Sequence, residues 1–197
     1  MKPISPERAA LACAPVGCIA FIALYILAMS KDSEYELFDN YLSDLGVGPG
    51  AWAFNAGAII AGCLLATFAI GGFRWYFGDR ALMKAGCALL ALSSVFLIGV
   101  GVFTEDAGDV HLFVSYAFFV CAFLSLAVLA GGRLDTVRNA TDPFFLVSAV
   151  AFASGIIAVG VTGPDPFAET VAVFALLLWG LIAPLTKAFR HGKESAK

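Results

Sequence analysis

The sequence predicts an all-α polytopic membrane protein, a bundle of six transmembrane helices with one short amphipathic helix in an outer loop. Three observations carry this prediction. First, 60% of the 197 residues are hydrophobic and only 14% are charged, where soluble domains carry about 25% charge and need polar groups to wet their surface. That composition excludes a soluble enzyme, a nucleic-acid binder and a disordered chain. Second, the chain contains six long runs almost free of Asp, Glu, Lys and Arg. Third, the connections between those runs alternate in charge.

The spans fall at about 9–30, 51–73, 85–104, 110–132, 143–164 and 167–186. Each approaches the roughly 20 residues that cross a hydrocarbon core. The sixth is charge-free only from Thr170, with Glu169 at its rim. Membrane strands would alternate between apolar and polar residues over about 10 positions. These runs are apolar on both parities, so helices are expected. The first run exceeds the roughly 7–15 residues of a signal-peptide core and reads as a retained helix.

Eleven of the 12 basic residues, among them Arg8, Arg74, Arg80, Arg133 and Lys187, fall on one side of this topology, and only Lys31 on the other. Ten of the 15 acids take the opposite side, including Asp44, Glu105, Asp106, Asp109, Asp165 and Glu169. The positive-inside rule then places both termini in the cytoplasm, with the chain in the cell membrane. Arg74 and Lys187 suit helix C-termini. Tyr25 and Trp52 suit the interfaces.

Small residues should let the helices approach closely, at Ala58-x-x-x-Gly62, Ala81-x-x-x-Ala85 and Ala151-x-x-x-Gly155, with phenylalanines filling the spaces beside them. Asp142 followed by Pro143 reads as an N-cap with proline at the first helical position. Cys13, Cys18, Cys63, Cys87 and Cys121 all lie in apolar spans and read as packing residues. In the first outer loop, Tyr35, Phe38, Tyr41, Leu42 and Leu45 recur at three- and four-residue steps. Ser33 and Glu36 have capping-box spacing and Gly46 is a natural stop. The pattern predicts an amphipathic helix over about 34–45.

No ionisable residue is expected at mid-membrane depth, which counts against proton pumps and ion-coupled carriers. Polar groups gather at the outer rim instead: Asp44, Asn55, Glu105, Asp106, Asp109, His111, Ser115, Tyr116, Thr162 and Asp165. His111 and Ser115 share a helix face. Asp106 and Asp109 have the ordinary reading of helix caps, Glu169 that of dipole matching in a first turn, and Asn55 that of a bridge between helices. Glu105, at the end of the third span, opposes the helix dipole and calls for a partner; His111 is the nearby group able to become cationic.

Two chemistries suit this rim. Asp44, Asn55, His111, Ser115 and Tyr116 could bind a lipid or polar headgroup in a shallow outward-facing pocket without turnover. Alternatively, Glu105, Asp106 and His111 could hold a divalent metal, or act as acid and base, in an outer-leaflet lipid-modifying enzyme. A small-solute facilitator is a third reading. No cofactor motif is evident beyond that metal option. Ser115 lacks the G-x-S-x-G context of a nucleophile elbow. The expected partners are membrane lipids, with a membrane-protein partner or a second copy of the chain as further options and no role for nucleic acid.

The segments Ser43-Asp44-Leu45-Gly46-Val47-Gly48-Pro49, Asn55-Ala56-Gly57 and Gly99-Val100-Gly101-Val102-Phe103-Thr104-Glu105-Asp106 occur in order, followed by His111 and Ser115-Tyr116. Together they resemble a prokaryotic, archaeal-type family of membrane proteins known as domain of unknown function 998. The resemblance runs from about Ala9 to Leu185, with Thr104 standing where the family pattern tends to have proline. It implies about six membrane helices and no established activity, and it draws attention to Asp44, Asn55, Glu105, Asp106 and His111.

Overall fold

Six antiparallel helices account for most of the chain: α1 (Pro6–Met29), α2 (Ala51–Gly71), α3 (Ala81–Val102), α4 (Asp109–Val137), α5 (Pro143–Thr162) and α6 (Pro166–Ile182). They are seen in a computed structural model that describes residues 6–71 and 80–186. Lys2, Arg74, Lys187, Arg190, Lys193 and Lys197, and the side chain of Arg8, lie outside the described residues, as do the last two positions of the expected second span. The first five helices are long and apolar enough to cross a membrane. At 1.5 Å per residue α2 is about 31 Å long and α6 only about 26 Å. α4 begins close to its expected start but extends to Val137 instead of stopping at 132. At about 43 Å it outlasts the hydrocarbon layer, and Arg133 and Asp135 ride on its last turns.

Each helix packs against the next, and α6 returns to α1. Close approach depends on missing side chains. A Cβ on Gly62 of α2 would lie 2.9 Å from the carbonyl oxygen of Ser94 on α3, and one on Gly101 of α3 would lie 2.6 Å from that of Asn55 on α2. In α5, Ala151 and Gly155 are buried, with Gly155 directly against the Phe123 ring of α4. The pairing expected of Ala81 and Ala85 does not form. Both are exposed, because the face of α3 that meets α4 is set by Gly86, which sits under Leu129.

Among the described residues, buried side-chain hydrogen-bonding groups other than Asn55 Oδ1 are matched inside the bundle, as a lipid environment demands. The Trp179 indole donates to Ser148 Oγ at 2.9 Å, and the Ser125 hydroxyl to the Gly86 carbonyl at 2.8 Å. All five cysteines are free. Trp52 is exposed at the start of α2, where an interfacial anchor belongs, but Tyr25 is buried. Its hydroxyl lies 3.2 Å from that of Tyr35, so it supports the following loop instead of facing lipid.

That loop corrects the expected helix over 34–45. Only Leu42–Gly46 is helical, as a single 3-10 turn. Short polar side chains take the backbone donors that an α-helix would have used. The Glu34 N–H donates to Asp32, the Glu36 N–H to Asn40 Oδ1, and the Tyr41 N–H to Asp44 Oδ2. The apolar residues that suggested one helical face are placed by the irregular loop instead, most of them in one cluster. Tyr35 stacks edge-on against Tyr25, Phe38 packs on Phe167, and Leu42 and Leu45 are buried in the bundle. The turn closes one end of the bundle as a lid.

Candidate functional site

Under the lid lies a cavity of about 100 Å³, well above the roughly 10–15 Å³ that a single water needs on the same measure. Its wall is almost wholly apolar. It is built from Phe21 and neighbouring small residues of α1, Phe54 and Leu65 of α2, Leu90 and Leu97 of α3, Phe118 and Leu126 of α4, and Leu177 and Trp179 of α6. α5 contributes none of its lining. From Glu169 to Gly180 along α6 the lined distance is about 17 Å. The polar lining residues are Ser43, Ser115 and Glu169, apart from the thiol of Cys18 and the indole of Trp179. These three mark the acidic end of the bundle, so the mouth is polar and the remainder oily.

The mouth is fastened by carboxyl groups from three elements. Glu169, in the first turn of α6, accepts the Leu42 N–H at 2.9 Å. Glu105, in the 3-10 turn Glu105–Ala107 between α3 and α4, accepts from the Ser43 hydroxyl at 3.4 Å. Asp44 in turn accepts the Tyr41 N–H at 3.0 Å. Among the described residues no Lys or Arg pairs with any of the three. Burial pushes the Glu105 carboxyl up to about 7, helped by the nearby Asp44 and Asp106 carboxyls, while the Ser43 hydroxyl opposes the rise.

Neutral groups hold the same lid. The Asn55 amide donates to the Gly46 carbonyl at 2.9 Å. A Cβ on Gly46 would come within 2.8 Å of Asn55 Oδ1, so glycine permits the approach. Thr170 donates to the Leu37 carbonyl at 3.0 Å, and Tyr41 to the Pro164 carbonyl at 3.2 Å.

The other expected residues disperse. His111 is buried, with Nδ1 2.7 Å from the Phe103 carbonyl and Nε2 3.3 Å from Ser115 Oγ. The first contact requires a proton on Nδ1; in the neutral ring Nε2 then accepts from the Ser115 hydroxyl. His111 thus ties the end of α3 to the start of α4 and does not serve as the partner expected for Glu105. Asp106 and Asp109 are exposed, and neither caps α4; Gly108 occupies that position, with φ of +58°. Among the described residues no three His, Cys, Asp or Glu side chains come together as a metal site, so Glu105, Asp106 and His111 do not converge. Tyr116 is 56% exposed on the outside of α4. Thr162 and Asp165 bond to each other at 2.9 Å, and Asp165 caps α6. Of the expected group, Asp44, Asn55 and Glu105 surround the lid, and Ser115 joins them from the cavity wall.

Ser43 and Glu169 were not expected in the site. Glu169 had a signal, as the one charge inside an otherwise clean span, but a first-turn acid is so ordinary that dipole matching sufficed to explain it. Ser43 had none.

The family model described as "Protein of unknown function (DUF998)" matches residues 15–187. No curated protein and no solved structure matches the chain.

Proposed function

The chain belongs to the domain of unknown function 998 family, and from that premise we propose that this multi-pass membrane protein binds an amphiphile, with the apolar chain in the bundle cavity and the polar head at the lid. The observation that carries the reading is the division of one cavity into a long apolar wall and a mouth formed by Ser43, Ser115 and Glu169. Binding sites for lipid-like molecules need that division, since apolar burial supplies affinity and a few polar groups fix orientation. Acceptor groups dominate the mouth, which favours a head rich in hydrogen-bond donors. The charge asymmetry of the connections supports placing the basic end in the cytoplasm and the lid outside.

Native mass spectrometry of the full chain, released from mild detergent, tests the reading. A bound amphiphile is expected with the native sequence and not with Ala122→Trp, which fills the cavity from α4. Protein that carries no amphiphile after purification, and takes none up from mixed lipid extracts, would defeat it.

A further inference from the structure

Among the described residues, Glu169 is the one acidic side chain on the cavity wall; Asp44 and Glu105 lie outside the lining. Its Oε2 accepts the Leu42 N–H at 2.9 Å. Its Oε1 has no hydrogen-bond partner among the described residues, and it is not sealed in, because Asn55 Oδ1 alone among them is both buried and unpartnered. No Lys or Arg among the described residues pairs with the carboxylate. Lys31, the single base on this side of the topology, is exposed and makes no ion pair there. The two hydroxyls of the mouth are already committed as donors. Ser43 donates to Glu105 at 3.4 Å, and Ser115 to Nε2 of the neutral His111 ring at 3.3 Å. A hydroxyl whose hydrogen is taken has only lone pairs left to offer. The mouth therefore offers acceptors from all three residues, and one of them is a carboxylate without a counter-ion.

We infer, resting on the amphiphile reading of this cavity, that the head of the bound molecule is a protonated amine and that Glu169 is its counter-ion. An alkylammonium carries one positive charge and three N–H donors. The charge answers the carboxylate, and the donors match in number the acceptors Glu169 Oε1, Ser43 Oγ and Ser115 Oγ. Pairing also removes the cost of leaving a carboxylate alone beside an apolar wall. Other heads fit less well. An alcohol supplies one donor and no charge. A carboxylate or a phosphate brings a further anion to a rim that already holds Asp44, Glu105 and Glu169, with no base to receive it. The same deficit separates a simple amine from a phospholipid amine, whose phosphate would enter those acidic surroundings. A quaternary ammonium has the charge but no N–H to donate. The ligand class is a phosphate-free long-chain amine, its apolar chain lying along the wall toward Trp179 and Gly180.

Retention of defined probes by the full chain tests the head. The protein is placed in phosphatidylcholine nanodiscs doped, one probe at a time and at equal mole fraction, with dodecylamine, dodecanol, dodecyltrimethylammonium, dodecanoic acid or phosphatidylethanolamine. Native mass spectrometry counts the probe that stays with the chain on release. The native chain should retain dodecylamine roughly tenfold more than dodecanol, the ratio that one hydrogen bond to a charged group supplies, and more than each of the other three. Glu169→Gln, which keeps an acceptor for the Leu42 N–H, should bring that ratio below about twofold while dodecanol is retained as by the native chain. The native ratio decides the head without any variant: equal retention of amine and alcohol overturns the proposal and leaves the amphiphile reading standing. A preference for amine that survives Glu169→Gln overturns it as well, and so does phosphatidylethanolamine retained as strongly as dodecylamine. Retention of no probe, or of every probe equally by the native chain and Ala122→Trp, removes the amphiphile reading itself.

Discussion

The two ends of the bundle treat buried charge in opposite ways. At the basic end, Arg133 grips Asp142 through two bonds of 3.0 Å. Asp142 is 1% exposed, and its Oδ1 also accepts the N–H groups of Phe144 and Phe145 at the start of α5. Every visible demand of that carboxylate is met by a guanidinium that does not lose its charge and by a helix N-terminus. At the acidic end, Asp44, Glu105 and Glu169 converge with no cation from the described residues. The first arrangement fixes a joint between helices. The second leaves a charge to be cancelled by a proton or by a ligand. Permanence at one end and adjustability at the other fit the proposal that the acidic end holds the binding site.

The comparison is broken most directly at Asp142. Asp142→Ala removes the N-cap of α5 and strands Arg133, 24% exposed, without its partner. Truncating one member of a buried pair costs about 3–5 kcal/mol, and unfolding titrations in mixed micelles should read a loss of that order. Asp142→Asn, which keeps a capping oxygen, should cost distinctly less. Equal losses would show that the ion pair, and not the cap, carries the joint.

At the other end the largest single effect is expected from Glu169. Glu169→Leu leaves the Leu42 N–H without its acceptor in a buried place, a penalty of about 1–3 kcal/mol. Glu169→Gln retains an acceptor and should stay within about 1 kcal/mol of the native protein. If the glutamine variant is as damaged as the leucine variant, the charge of Glu169 matters to the fold and the contrast between the two ends weakens.

The ends should also differ in their response to pH. Glu105 binds its proton more tightly when folded, with a value of about 7 against an ordinary 4.5. Between these values the folded state holds more protons than the unfolded state, so stability falls as pH rises through the window. The contribution is fully present below 4.5 and lost above about 7. Glu105 is only partly buried, so solvent screening keeps the effect small. A fall in Tm of roughly 2–4 °C between pH 5.5 and 8.5 is expected, smaller in Glu105→Gln. A Tm that rises over this range in a Glu105-dependent way would reverse the sign and sink the assignment.

The sequence revealed the frame better than the working parts, for identifiable reasons. Spans are legible because a charge in hydrocarbon is costly, so each helix appears as a gap between charges. The cap at Asp142 is legible because its geometry is local. Its pairing with Arg133 is not, since a turn of unknown direction separates the two residues. The lid failed as a helix because periodicity records only which residues seek burial. Tyr35, Leu42 and Leu45 reach one cluster around Tyr25 and Phe54 by an irregular path, and a single helix face would have satisfied the same demand. Glu105 was marked as a rim residue, but that Ser43 donates to it follows only from how the lid folds back on the α3–α4 turn.

The smallest effect sharpens the contrast from within the basic end. Arg80 and Asp135 approach to 2.7 Å, closer than the Arg133 pair, but their side chains are 58% and 56% exposed. In water the attraction is largely offset by hydration and by the entropy of holding two long side chains. Arg80→Ala should therefore change unfolding free energy by only about 0–1 kcal/mol, and the change should shrink as salt is raised. The loss at Asp142 should persist in salt, because that pair is shielded from the solvent that does the screening. If the two losses proved equal and equally sensitive to salt, burial would not be what separates a locked joint from a surface contact, and the same reasoning would fail for the carboxyls under the lid.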